Sequence, residues 1–574
     1  MNGKLNRKIL SEVALGNISP DIIVVNGSIF NVFTREFIHD CSIWIKDGMI
    51  AYVGRSDDVK RDGKTIFIDA QGMVILPGLI DGHTHINGMG IEEFVRYVIP
   101  SGVTTIIMET TDIGTIMGKD GMEYFIQGLR NQPIRFYYTV SPNCGLIPSV
   151  EVNVLSVGES LLFLKDPMCV GVGEIYWGNI FIEEDQGERV RMIVGEALDL
   201  GKKVEGHTAG ASGRKLQAYT CFGFSSDHEP ITEEEVLERL RLGYWVMIRE
   251  GFVRKELYGV KGIFEKKIDF RRLILTTDGM DPRGLVEEGY LDVAIRKALG
   301  LGIPSELIYQ MVTINVAEHF QLDNLIGSIS PGKMADLVMI PSEREFSPKL
   351  VMREGRIIYQ EGKIFEEPRR VGFPEYMFDS IKVEGFRFPA IPQNGRVRAI
   401  EFVTGLVTKE RIIELGNPED LEDLLFLLAI DRVRGGESFL GFLKGFGLKR
   451  GAYGTTMSWD TIDMFIVGVD QQSMETVLRR LREIRGGGVY AIGDRVVAEI
   501  EASLCGFYSI KSMKEIRDEV KRVEDALKEN GARWEKPVLT IDTLGTPAIP
   551  HIRITHKGYV RLKDRQLLPL LVNE

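Results

Sequence analysis

The chain of 574 residues is poor in cysteine, with Cys41, Cys144, Cys169, Cys221 and Cys505 far apart and no CxxC pair. That spacing excludes a zinc ribbon and a disulfide framework, and leaves reduced, mostly buried thiols. No uninterrupted apolar run reaches the roughly eighteen residues a membrane span requires, so none is read here. The Met1 to Asn17 segment is mixed charged and polar. It lacks the apolar core and small-residue cleavage site of a secretory signal, so a cytoplasmic, soluble protein is expected. Positive charge is also short: 70 Lys and Arg stand against 82 Asp and Glu, a net charge of -12, with the two signs interleaved. Partnership with nucleic acid is therefore not expected, and with no apolar span neither is one with a membrane.

What is present is the texture of an ordinary globular protein, 44% hydrophobic and 26% charged, long enough for several domains. Asp21 to Phe33 and Cys41 to Val53 carry β-rich runs broken by Asn26-Gly27 and Asp47-Gly48, both read as hairpin turns. From Val74 onward, apolar β-branched stretches alternate with amphipathic helical ones, as βα repeats require. Strands are expected near 77–85, 103–109, 135–141, 170–176, 203–207, 224–228, 245–249 and 273–278. Such a series predicts an α/β protein built on a closed parallel (β/α)8 TIM barrel with its chemistry at the C-terminal strand ends. A helix is expected over Pro304 to Phe320, and β-strands return in Gly327 to Ile340 and Ile357 to Gly362. These would complete the opening β unit, so residues 1–75 and 327–370 are expected to form one composite β-sandwich around a barrel of residues 76–326. Residues 371–574 form a separate C-terminal α/β domain, with a long charged helix at Ser512 to Gly531.

The first barrel strand ends in Gly82-His83-Thr84-His85. Histidines at i and i+2 of a strand point to one side, where their imidazoles can share a metal, while Thr84 faces the barrel wall. Alone, an HxH pair is equally a pair of solvated side chains. Its companions decide the matter: Glu174 ends the fourth strand, His207 the fifth, His228 the sixth and Asp278 the eighth. Only eight histidines occur in the chain, and four of them fall at C-terminal strand ends of one barrel. His83, His85, Glu174, His207, His228 and Asp278 are accordingly read as ligands of a binuclear centre. His39, His319, His551 and His556 lie away from those ends and receive no role. Arg249 and Glu250, closing the seventh strand, are read either as substrate contacts or as a strand-end ion pair.

The order HxH, Glu, His, His, Asp on successive strands resembles the amidohydrolase superfamily, and the residues around it resemble its adenine deaminase branch. The pieces that carry the likeness are Pro77 to Ile86, Gly206 to Gly213, Ser225 to Glu229, Val246 to Gly251, Glu287-Glu288-Gly289 and Gly441 to Gly451. The resemblance implies a composite β-sandwich, a (β/α)8 barrel, two divalent metal ions, and hydrolysis of a carbon–nitrogen bond in a cyclic amidine. In that branch ammonia leaves C6 of adenine, giving hypoxanthine. The chain departs from the branch where substrate would lie. Asn87 replaces the glutamate of His-Ile-Glu-Ser, and Glu109-Thr110-Thr111-Asp112 replaces Asp-Pro-His-Glu. Gly279 follows Asp278 where Asp-Asp-Arg-His is usual, and Trp459-Asp460-Thr461-Ile462 replaces His-Asp-Ser-His.

Two divalent ions flanking one water lower its pKa toward neutrality and so supply hydroxide at the strand ends. His83 and His85 would hold one ion with Asp278, His207 and His228 the other, and Glu174 would bridge them. Catalytic duty then falls on Asp278, His228 and Glu174, with Asp278 as the base that takes the proton and returns it to the departing nitrogen. The competing assignment for Asp278 is a helix N-cap. Imidazole and carboxylate together suit manganese, iron or zinc without choosing among them. The expected partner is a small molecule, a nucleobase, and self-association into a homo-oligomer is expected. Two other readings stand beside adenine hydrolysis: attack on another modified purine, cyclic amidine or cyclic amide, and a catalytically silent protein that binds metal and nucleobase. Retention of six ligands argues against the last, because like-charged groups are costly to hold together without a job.

Overall fold

A computed structural model describes residues 7–55, 62–142, 144–390, 392 and 394–572, so Met1 to Asn6 of the N-terminal segment lie outside the described residues. Its centre is a barrel of eight parallel strands: β1 (Leu79–Thr84), β2 (Val103–Met108), β3 (Arg135–Val140), β4 (Cys169–Tyr176), β5 (Lys203–His207), β6 (Ser226–Asp227), β7 (Trp245–Arg249) and β8 (Leu273–Thr276). Each strand pairs with the next in sequence, as right-handed βα connections dictate. The seam between β8 and β1 is closed by a bond from Asp278 N–H to the carbonyl of His83 (3.1 Å) and a parallel bridge between Ile86 and Met280. The barrel floor is apolar: Ile80, Ile107, Tyr137, Val170, Met247 and Ile274 share one core with Leu10 and Val13 of the helix Arg7–Ala14. The side chain two residues beyond Met247 on β7, Arg249, reaches the opposite end by the alternation of strands. Asp278 arrives there from the turn just past the end of β8, at φ 54°.

The flanks of the barrel form one continuous nine-stranded sheet. Strand Val74–Pro77 pairs antiparallel with Leu337–Ile340, joining the segment before the barrel to the segment after it. The sheet returns on itself where Met49 bridges Met334 and Ile50 N–H donates to the Lys333 carbonyl (2.9 Å). Val24, Ile43, Ile50, Leu337 and Met352 are buried in the core between. Asp47-Gly48 makes the expected hairpin, with both residues at positive φ (49° and 74°) between Glu36–Lys46 and Met49–Gly54. Asn26-Gly27 does not. Strand Ile22–Asn31 runs straight through it with a register shift, Asn26 at φ 59° forming a bulge. The glycine answers to packing instead, since a Cβ there would fall 2.5 Å from Ile75 Cδ1.

The helix expected over Pro304 to Phe320 is two, Ser305–Met311 and Ile314–His319, broken at Thr313 (φ −139°, ψ −94°). The Thr313 hydroxyl donates back to the Tyr309 carbonyl, a side-chain competitor of the helical ladder. The C-terminal region holds an eight-stranded sheet over residues 396–501 and a three-stranded one over residues 552–568. Helix Gln471–Glu483 packs Met474, Val477 and Leu481 against Leu428 and Ile466. Helix Met513–Glu529, capped by a reciprocal Ser512–Glu515 box, joins the core of Leu427 and Val467 on the other face. Among the described residues no helix is long and apolar enough to cross a membrane.

Candidate metal centre

The six residues singled out on sequence converge at the C-terminal mouth of the barrel. His83 Nε2 lies 3.2 Å from Asp278 Oδ1, and His85 Nε2 lies 3.5 Å from Glu174 Oε1 and 3.7 Å from Asp278 Oδ1. His228 Nε2 lies 2.9 Å from Glu174 Oε2 and 3.2 Å from His207 Nδ1, and His207 Nδ1 also meets Glu174 Oε2. Donor atoms fall into three groups, each within 4.8 Å: His83, His228 and Asp278; His83, His85 and Glu174; and Glu174, His207 and His228. His228 thus stands between the two ligand sets expected from sequence, its ring stacked on that of His83 with centroids 4.2 Å apart. The donor set fits a divalent ion. His83 Nε2 is buried without a properly directed hydrogen bond, and two imidazole nitrogens face each other and one carboxylate. Thr84 points into the wall, bonded to Thr277 (3.1 Å) and Tyr290 (2.9 Å).

Charge explains the site's titration. Burial alone would lower the His85 pKa, but Glu174, Asp278 and Glu109 outweigh it and push it up to about 10. His207 likewise rises to about 9, burial being overcome by Glu229 and Glu174. Burial would raise Asp278, but His83 and Arg249 hold it well below the usual carboxylate range. Asp278 is not a cap: Asp281 caps helix Pro282–Glu287, accepting from Gly284 N–H at 2.9 Å, while Asp278 sits at φ 54° facing the histidines.

Arg249 and Glu250 separate. Arg249 is buried among three carboxylates, 3.2 Å from Asp278 Oδ2, 2.7 Å from Glu256 Oε1 and bonded to Glu229. Glu250 turns away to Lys297 (2.5 Å). Burial pushes Glu256 up to about 7 against the pull of Arg249, whereas Glu229, despite burial, falls to about 2 beside Arg249 and His207.

Several residues at the site received no role on sequence. Glu109, the residue just after β2, accepts from Glu174 N–H (2.8 Å) and from Thr139 (2.6 Å), with His83 Nδ1 3.7 Å away. Its strand-end position was the available signal. Tyr176 lies two residues beyond Glu174, and its hydroxyl donates to Asp460 (2.9 Å). Asp112 is pushed up to about 7, first by withdrawal from water and then by the charge of Asp460.

Above the ligands opens a cavity of about 260 Å³, walled by Asn87, Thr111, Asp112 and Arg254 from the barrel and by Leu406, Trp459, Asp460, Thr546 and Pro550 from the C-terminal region. The Thr111 hydroxyl is buried there with no hydrogen-bond partner among the described residues. Fully buried Arg553 ties this wall together, donating to the carbonyls of Leu406 (3.1 Å), Thr546 (3.3 Å) and Pro550 (3.4 Å). The remaining histidines are structural: His39 bonds Ser28 (2.7 Å), buried His319 meets Glu205 (2.8 Å), and His556 meets Asp463 (2.7 Å). His551 is exposed.

Residues 74–358 match the amidohydrolase family, and residues 403–566 match the adenine deaminase C-terminal domain. The chain is 32% identical to an adenine deaminase of Archaeoglobus fulgidus over 575 residues, covering 99% of this chain and 98% of that protein. It is 32% identical to one from Clostridium botulinum strain 657 over 591 residues, with 99% and 98% covered. Among solved structures, a β-aspartyl dipeptidase from Fervidobacterium islandicum AW-1 is similar at a TM-score of 0.47 and 21% identity, covering 62% of this chain and 100% of that one. With groups that could hold a metal ion at the strand ends of an amidohydrolase barrel and full-length likeness to these relatives, the chain belongs to the adenine deaminase family of the amidohydrolases.

Proposed function

We propose that this protein hydrolyses the exocyclic amine from C6 of adenine, giving hypoxanthine and ammonia, with two divalent ions held by His83, His85, Glu174, His207, His228 and Asp278. The observation that supports it most is the convergence of all six donors at the mouth of one barrel beneath a cavity sized for a small ring. A pair of ions held there would supply an activated water at neutral pH and polarise the reacting carbon. Glu174 offers one oxygen to each side, Oε1 toward His85 and Oε2 toward His207 and His228. Asp278 reaches toward both His83 and His85, so it is placed to take the water's proton and return it to the leaving nitrogen. Arg249 keeps Asp278 ionised and aimed. Thr111, Asp112 and Asp460, which line the cavity, are the groups for the ring's nitrogen edge. In this reading residues 76–326 carry the chemistry, residues 1–75 with 327–370 buttress the barrel, and residues 371–574 close the pocket.

The test is ammonia release from a panel of purines, pyrimidines and cyclic amides, with manganese, iron or zinc supplied in turn. Adenine turnover that disappears on chelation and returns with metal is expected. Turnover of other ring systems with none of adenine would overturn the adenine assignment.

A further inference from the structure

Beside the main cavity lies a second, smaller chamber of about 70 Å³. Phe252, Met457, Phe507, Val520 and Val538 give it apolar walls, and the acids Asp281, Glu524 and Asp542 line the rest. Asn87 and Trp459 line both this chamber and the main cavity, so together they are the partition between the two. The partition stands on the side of Asp278. Gly279 follows Asp278 at φ 87°, and a Cβ there would lie 3.2 Å from Asn87 Nδ2. Phe252 N–H donates to the Gly279 carbonyl (3.0 Å), placing the chamber wall directly behind the strand end that carries Asp278. Asp542, which also lines the chamber, is 6% exposed, and its Oδ1 has no hydrogen-bond partner among the described residues. Its own carbonyl accepts from Trp459 N–H (3.0 Å), so this acid and the partition are one unit. A buried carboxyl oxygen without a partner is costly unless a ligand completes it.

Resting on the deaminase reading, we propose that the chamber is a leaving-group subsite, and that the substrate class includes purines whose exocyclic 6-amine bears a short alkyl chain ending in a hydroxyl. Asp278 hands its proton to the departing nitrogen, so any substituent on that nitrogen must lie on the Asp278 side, where the partition is. A volume of 70 Å³ holds about five water-sized groups at roughly 10–15 Å³ each, enough for a chain of three carbons and one oxygen. The apolar walls take the methylenes and Asp542 takes the hydroxyl. Burial holds the Asp542 carboxyl well above its usual range, so it meets a hydroxyl as donor or acceptor. The reaction balances as simple hydrolysis. The oxygen of water bonds to C6, the C6–N bond breaks with its electron pair going to nitrogen, and a water proton leaves with the amine. For 6-(3-hydroxypropylamino)purine the products are hypoxanthine and 3-aminopropan-1-ol.

The experiment compares kcat/KM for adenine and for 6-(3-hydroxypropylamino)purine in metal-loaded wild type and in Val538→Phe, following hypoxanthine. In wild type the substituted purine is expected to exceed adenine by about tenfold, the order expected for several methylenes placed in an apolar slot. Val538→Phe fills the chamber and should lower the ratio of the two values by tenfold or more. Should that variant fail to fold, shown by loss of both turnovers, Val520→Leu provides the same comparison by a smaller filling. Adenine turnover with none of the substituted purine, or a ratio that chamber filling does not move, overturns the subsite and leaves the deaminase reading intact. Absence of turnover on both purines in wild type counts against the deaminase reading itself.

Discussion

Replacing Arg249 with Met tests how the mouth of the barrel keeps its carboxylates charged. Arg249 is buried and touches Glu229, Glu256 and Asp278. Removing one partner of a buried ion pair costs about 3–5 kcal/mol because the other charge is left uncompensated. Glu256 sets the pH dependence. Its folded pKa stands at about 7 against an ordinary value of 4.5, so from pH 4.5 to 7 the folded state binds a proton that the unfolded state lacks. Stability from this group therefore falls as pH rises to 7 in the wild type and then levels off. Without Arg249 the folded pKa moves higher, and the fall continues above pH 7 at about 1.4 kcal/mol per pH unit. The expected result is a deficit of about 3–5 kcal/mol at pH 7 that widens by about 1.4 kcal/mol at pH 8. Urea unfolding of metal-stripped Arg249→Met and wild type at the two pH values measures it, provided the slopes agree. A deficit under about 1 kcal/mol with no pH dependence would refute the argument, since it would mean these acids are solvated without the arginine.

Asp278→Asn keeps shape and loses the base, so kcat should drop by about 10² to 10⁴ while metal content and fold persist. Wild-type turnover in this variant would remove Asp278 from proton transfer. Metal binding should release about two protons per chain near pH 7.5, because His85 and His207, raised to about 10 and 9, must become neutral to ligate. Calorimetry in buffers of different ionisation enthalpy reads that number, and a value near zero would contradict it. In the metal-free protein, the two raised histidines stabilise the fold fully below their unfolded pKa near 6.5, and that stability is lost as pH rises through 9 to 10.

The barrel was legible because its strands are buried on both faces and read as apolar β-branched runs, and because a strand's alternation fixes which side chains share a face. That is why His83, His85, Glu174, His207, His228 and Asp278 could be found from order alone. The Asn26-Gly27 bulge was not legible, because the same dipeptide serves a hairpin or a bulge and only the packing of Ile75 distinguishes them. Thr313 breaks its helix through a hydroxyl bond that the helical pattern conceals. The acids around Arg249 were hidden for another reason. Glu229 and Glu256 sit in loops after β6 and β7, where no periodicity assigns a direction. The partition of Asn87 and Trp459 joins residues from opposite ends of the chain, and it emerges only when the C-terminal region is folded over the barrel.

The central claim is that the six donors hold a pair of ions astride Glu174. Anomalous diffraction from crystals of the protein soaked in manganese tests it most directly. Two strong peaks are expected on either side of the Glu174 carboxylate, one beside His83, His85 and Asp278 and one beside His207 and His228. No peak at the mouth of the barrel, or peaks confined to the acids around Asp112 and Asp460, would contradict the account.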